Sequence, residues 1–255
     1  MCNKNVQLDS ALATFPSLCN IASNHAHAWF IELRGDIECA HELLSDDEKA
    51  RAKDITMLSA RHRYIAAHAT LRQILGAYLK TEPRSVLFGY GPYGKPELLE
   101  TPKCFNLSHS HNMALVGVTE NYDIGVDIEY MLRQTAWKKV TERFFASDEQ
   151  IALARQAVPL QRDYFFHLWT LKEAYTKARG EGLKLPLASF SINCETEQAV
   201  LTRHQDIKPR YLSEWSLHTL TGPKDYIAAI AVKGKVDKIQ CYQSDLDTLM
   251  QFKPE

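Results

Sequence analysis

The sequence predicts an α+β protein of two similar lobes, each with strands and helices packed together. Three observations lead there. A short capped helix, a longer helix and then strands occur twice along the chain. The two capping signatures, Ser45-Asp46-Asp47-Glu48 and Ser147-Asp148-Glu149-Gln150, lie about one hundred residues apart. The 255 residues suffice for two small domains. The predicted division is 1–120 and 121–255, with the join near residues 119–124 and the acidic cluster discussed below in the second lobe.

The elements follow in order. Residues 1–24 read as a weakly structured lead-in. His27 to Leu33 reads as a strand. Ser45 and Glu48 form the first capping box, opening a helix. Ala60 to Lys80 has helical apolar spacing and ends at Glu82-Pro83. Phe88 to Pro96 (FGYGPYGKP) is glycine- and proline-rich and predicts a loop. Phe105–Leu107, Ala114–Thr119 and Ile124–Glu129 read as strands, with Asn121 in a turn. The second capping box opens a helix at Ser147, and Pro159 breaks the helix that follows. A longer helix from Gln161 to Arg179 ends at Gly180, which suits a left-handed cap. Phe190–Asn193, Trp215–Thr219 and Tyr226–Val232 are further strands.

Composition excludes more than it selects. The chain is 45% hydrophobic and 24% charged, with net charge −1. That is ordinary for a globular protein and favours neither a nucleic-acid nor a membrane partner. Six cysteines, at 2, 19, 39, 104, 194 and 241, form no CxxC pair and no zinc spacing, and read as reduced thiols of a cytoplasmic protein. The first residues lack the apolar core of a signal peptide, and no run of about 18 apolar residues occurs.

The chemistry concentrates in two segments. In Ile124-Gly125-Val126-Asp127-Ile128-Glu129, strand alternation sends the three β-branched residues to one face and Gly125, Asp127 and Glu129 to the other. The two carboxylates then lie about 7 Å apart along the strand, and Gly125 leaves room for a close ligand. A strand with one solvated acidic face is the competing reading. Trp169, Glu173 and Lys177 are spaced to share a helix face. An ordinary Glu–Lys surface pair, about 0.3–0.5 kcal/mol, competes there. Together Asp127, Glu129 and Glu173 make an all-oxygen donor set suited to magnesium or manganese; calcium is disfavoured by the lack of EF-hand spacing.

Phosphate-binding features flank this set. Lys95 lies in a glycine-rich turn that is not a P-loop. Asn106-Leu107-Ser108-His109-Ser110-His111 offers hydroxyl and imidazole donors at a strand end. A Ser108–His109 nucleophile pair is disfavoured because adjacent strand side chains diverge. Lys49, Arg51, Lys53, Arg61 and Arg63 form a basic run, by default a solvated helix face, from which a few cations could bind a peripheral phosphate.

At these residues the chain resembles the surfactin-type (Sfp-type) 4′-phosphopantetheinyl transferases. The matching stretches are YGKPEL (93–98), FNLSHS (105–110), IGVDIE (124–129), RFFASDE (143–149) and FHLWTLKEAYTKARGEGLKLPL (166–187). The resemblance implies the 4′-phosphopantetheinyl transferase fold: two similar α+β lobes in pseudo-twofold arrangement, each a small, mainly antiparallel sheet packed with helices, with coenzyme A between them. It implies Mg2+-dependent transfer (Mn2+ possible) of phosphopantetheine from coenzyme A to a serine of an apo acyl or peptidyl carrier protein, of the holo-[acyl-carrier-protein] synthase type. It makes Asp127, Glu129 and Glu173 the metal ligands, and Asp127, Glu173 and Lys177 the catalytic set. Arg63, Lys95, Ser108, His109, Asp127 and Lys177 become coenzyme A contacts. Where family members place a lysine near the start of the basic helix, Glu48, Lys49 or Arg51 stands here. Trp169 is expected to hold Glu173, and Arg143, Phe144 and Phe145 to help form the carrier surface. A monomer is expected, because such a site needs no second chain. The alternatives are another Mg2+-dependent phosphotransferase and a non-catalytic coenzyme A or carrier-binding module.

Overall fold

A computed structural model of the chain describes residues 6–7, 20–195 and 198–252. The predicted lead-in therefore lies mostly outside the described residues. The first half runs β2 (His25–Glu32), α1 (Ile37–Glu42), α2 (Asp46–Asp54), α3 (Leu58–Leu79), a hairpin of β3 (Phe88–Tyr90) and β4 (Pro96–Leu98), β5 (Lys103–Ser110) and β6 (Met113–Glu120). The second half runs β7 (Ile124–Tyr130), α4 (Trp137–Phe144), α5 (Ser147–Arg155), α6 (Val158–Arg179), a hairpin of β8 (Phe190–Asn193) and β9 (Val200–His204), β10 (Trp215–Leu220) and β11 (Tyr226–Lys233). Strand β12 (Lys238–Asp245) and helix α7 (Leu246–Met250) close the chain.

The repetition seen in the sequence is present in the topology. Helices α3 and α6 each have 22 residues, and each ends on a left-handed residue, Lys80 and Gly180. In the first sheet β2 pairs antiparallel with β6, and β6 with β5. In the second, β7 pairs with β11, and β11 with β10. The first sheet gains β12, which runs parallel to β2, and β1 (Val6–Gln7) beside it.

Burial arranges these parts in four layers. Helix α3 packs on the first sheet through Ile65, Leu71, Ile74, Trp29 and Ile31. Helix α6 packs on the second through Phe166, Leu168, Leu171 and Tyr175. Between the sheets lies a third core of Ala28, Phe30, Leu115, Val126, Ile128 and Ile230. The predicted inward face of β7 is thus the face that joins the lobes. No helix among the described residues is long and apolar enough to cross a membrane.

Three local expectations change. The first capping box forms as predicted, with Glu48 N–H donating to Ser45 Oγ and Ser45 N–H to Glu48 Oε2. The second shifts by one residue: Ala146 is the cap, and its N–H donates to Glu149 Oε2 at 2.9 Å. Alanine has no side-chain oxygen to return the bond, so only half the box exists. The predicted loop 88–96 is the β3–β4 hairpin, closed by Gly91 N–H on Lys95 O and Gly94 N–H on Gly91 O. Pro159 lies in the first turn of α6, where its missing N–H costs nothing, so it starts that helix near Val158 rather than breaking one.

Candidate active site

The site forms where β7 crosses α6. The backbones come so close there that a Cβ on Gly125 would stand 2.1 Å from Ala174 O and 2.2 Å from Ala178 N. The space expected beside Gly125 for a ligand is filled by the helix. This contact sets α6 against β7 and brings Lys177 onto Asp127, which is 4% exposed.

Asp127 and Glu129 are held differently. Asp127 Oδ1 accepts from Lys177 Nζ at 2.6 Å and from Ser108 Oγ at 2.8 Å, and Lys177 also donates to Ser108 Oγ at 2.9 Å. Asp127 Oδ2 is buried with no partner among the described residues. Glu129 Oε1 accepts from Arg133 at 2.8 Å and from the indole N–H of Trp169 at 3.1 Å. Its Oε2 accepts from Ser110 Oγ at 3.1 Å. Trp169 therefore holds Glu129, not Glu173 as expected. Burial first, then the Asp127 charge, raises the pKa of Glu129. The same two causes push Glu173 up to about 6, opposed by Lys177 and aided by Glu129. The three carboxylates thus share one electrostatic neighbourhood.

They do not close into a ligand set. Among the described residues no three His, Cys, Asp or Glu side chains converge as a metal-holding group. The orphaned Asp127 Oδ2, with the buried Glu173 whose pKa the neighbouring carboxylates raise, is nevertheless what a hard cation would satisfy.

The flanking residues are partly rearranged. Lys95 reaches across from the β3–β4 turn and donates to Ile124 O at 2.9 Å and Ala178 O at 3.1 Å, and burial lowers its pKa. Its ammonium thus ties β7 to the end of α6, with one N–H left for a ligand. His109 opens to solvent on the opposite face of β5 from Ser108. Partial desolvation lowers its pKa, followed by the charges of His68, Lys177 and Arg63. The charges of Arg63 on α3 and Lys177 on α6 therefore both reach His109. His68 was not read from the sequence; its i+5 spacing from Arg63 carries no motif. Of the three candidates for the extra cation, Glu48 is turned inward onto Arg72 at 2.6 Å, Lys49 faces Glu42 at 3.7 Å, and Arg51 lies over the ring of Tyr90. In the expected carrier surface, Phe145 is instead core, 2% exposed and stacked on Phe165. Arg143 is exposed over Phe144.

Fold and site together define a two-lobed α+β protein with a carboxylate–lysine centre at one strand–helix crossing. The sequence profile of the 4′-phosphopantetheinyl transferase superfamily matches residues 123–231, which run from the start of β7 nearly through β11. The chain is 34% identical to the 4′-phosphopantetheinyl transferase HetI of Nostoc sp. over 226 residues, 86% of this chain and 92% of that one. It is 31% identical to a 4′-phosphopantetheinyl transferase of Bacillus pumilus, covering 72% and 78% of the two chains, and 28% identical to Sfp of Bacillus subtilis, covering 62% and 69%. The chain belongs to the 4′-phosphopantetheinyl transferase family, Sfp type.

Proposed function

We propose that the protein transfers 4′-phosphopantetheine from coenzyme A to the serine hydroxyl of an apo acyl or peptidyl carrier protein, releasing adenosine 3′,5′-bisphosphate. The observation that carries this reading is the pairing of Lys177 and Ser108 on one oxygen of Asp127 while the other is left buried and free, beside a Glu173 that titrates near 6. Asp127, Glu129 and Glu173 would hold a Mg2+ or Mn2+ ion, which would neutralise pyrophosphate charge. Glu173, with its raised pKa, takes the proton from the carrier serine. The serine oxygen attacks the β-phosphorus, and the bond to the bisphosphate breaks. Lys177 offsets charge at the reacting phosphate, and His109, Arg63 and the remaining N–H of Lys95 grip the coenzyme's phosphates. The holo-[acyl-carrier-protein] synthase type, a monomer and a cytoplasmic setting belong to the same reading. So does a lobe boundary at 120/121, with β12 and α7 returned to the first lobe.

Incubation with coenzyme A, Mg2+ and a panel of apo carriers should add about 340 Da, one phosphopantetheine group, to a carrier, and Asp127→Ala should abolish the gain. Coenzyme A binding with no carrier modified would leave a binding module. Nucleotide turnover without labelling would make it another phosphotransferase.

A further inference from the structure

Strand β7 is an edge strand: β11 pairs with one side only. An edge strand presents a row of unpaired N–H groups. The other side of β7 faces β5, the edge of the first sheet, yet the two form no ladder. Side chains of β5 take the place of backbone. Asn106 Oδ1 accepts from Val126 N–H at 2.9 Å, Ser108 Oγ from Ile128 N–H at 3.4 Å, and Ser110 Oγ from Tyr130 N–H at 3.1 Å. Both strands repeat every two residues, so the three bonds stay in step.

The two serines pass the connection on. A hydroxyl has one proton to give and two lone pairs. Ser110 accepts from Tyr130 N–H and donates to Glu129 Oε2. Ser108 accepts from Ile128 N–H and Lys177 and donates to Asp127 Oδ1. Each carboxylate is thereby fixed relative to the backbone N–H that follows it in the chain. The anchor belongs to the other lobe.

We infer that β5 is a side-chain template that sets the position of the β7 carboxylates across the lobe interface, with Asn106 and Ser110 as its positioning residues. Asn106 fixes the register of β7, since its oxygen touches only backbone there. Ser110 fixes the orientation of Glu129. The consequence for catalysis rests on the transferase reading above, and the template itself does not.

The test uses the full chain, with amide hydrogen exchange resolved by residue and transfer kinetics measured on the same variants. In Ser110→Ala the Tyr130 amide should exchange about tenfold faster, the loss of one bond of roughly 1.4 kcal/mol, while Val126 changes less than about twofold. Transfer kcat should fall about tenfold with the KM for coenzyme A unchanged. Ser110→Thr keeps the hydroxyl and should restore both. Asn106→Leu should shift the effect to Val126. An unchanged Tyr130 rate in Ser110→Ala, or full kcat in that variant, overturns the proposal. So does an equal acceleration of all amides, which would mark general loosening. If the wild-type chain modifies no carrier, the transferase reading fails alone. The template is then decided by the exchange pattern and by Mn2+ affinity, which should weaken at least about threefold in Ser110→Ala, in keeping with supporting-residue losses at metal sites.

Discussion

Glu173 sits where its charge is unwelcome. Burial and the Asp127 carboxylate raise its pKa from 4.5 to about 6, and Lys177 only partly opposes them. Between those two pH values the folded chain keeps a proton that the unfolded chain has lost. Stability contributed by this residue therefore falls as pH rises through that window, and at pH 8 the ionised group is a net cost. Glu173→Gln should abolish transfer. It should also raise the unfolding free energy at pH 8, in EDTA, by about 1–2 kcal/mol, with roughly half of that or less at pH 5. Urea unfolding at the two pH values reads this, and a gain that is absent at pH 8 or equal at both would refute it. At this scale much was legible beforehand. Alternation placed Asp127 on one face of β7, and helical spacing placed Lys177 one turn beyond Glu173. Asn106 and Ser110 were not read as structural, because their partners are backbone groups 20 residues away, and no local pattern marks such a bond.

The elements are locked by features that repeat in the two lobes. The capping glutamate of α2, Glu48, pairs with Arg72 on α3, whose guanidinium also binds Pro83 O, Arg84 O and Val86 O. The corresponding glutamate of α5, Glu149, pairs with Lys172 on α6 at 2.7 Å, and that ammonium binds Phe190 O. Each strut joins a short helix, a long helix and the segment after it. Capping boxes are local, so the sequence shows both helix starts. The cation on the far helix is not legible in this way: no local pattern marks Lys172, yet it is wholly buried. Lys172→Met leaves Glu149 charged and buried, and should cost about 3–5 kcal/mol in urea unfolding. Adding Glu149→Gln should recover part of that loss, so the double variant should fall well short of the sum of the singles. Additive losses would show that the pair does not act as a unit. Gly125 is the second lock. Gly125→Ala drives a methyl into the backbone of α6 and should destabilise the chain by about 3 kcal/mol or more. Its small size was noticed in the sequence, but only packing shows that a helix, not a ligand, uses the space.

For the whole molecule, duplication raises the question of why there is one site and not two. Helices α3 and α6 begin at Leu58 and Val158 and have equal length, so Gln73 stands where the second lobe has Glu173, and Ala77 where it has Lys177. Gln73 donates to Phe252 O at 2.6 Å. Tyr242 of β12 stacks on Trp29, and Leu246 and Leu249 of α7 fill the same core. The first lobe's counterpart of the site is thus plugged by the end of the chain. No pattern in the first half announces that plug, because its other half lies more than 150 residues away. The same return makes the lobes inseparable: β12 starts from the second sheet's last strand and completes the first sheet. With the sheet-to-sheet core between them, the two lobes should unfold as one unit. Trp29 lies in the first lobe, and Trp137, Trp169 and Trp215 pack on the core of the second. A Trp29→Phe variant therefore reports the second lobe alone, and a variant keeping only Trp29 reports the first. After allowing for each variant's own stability by far-ultraviolet circular dichroism, fluorescence and dichroism midpoints in urea should coincide in both. Ending the chain at Asp237 strips β12 and α7 from around Trp29 and should abolish the cooperative transition seen by either probe. A truncated chain that kept a sharp transition around Trp169 would mean that the second lobe folds alone and that the returning strand closes the molecule without holding it together.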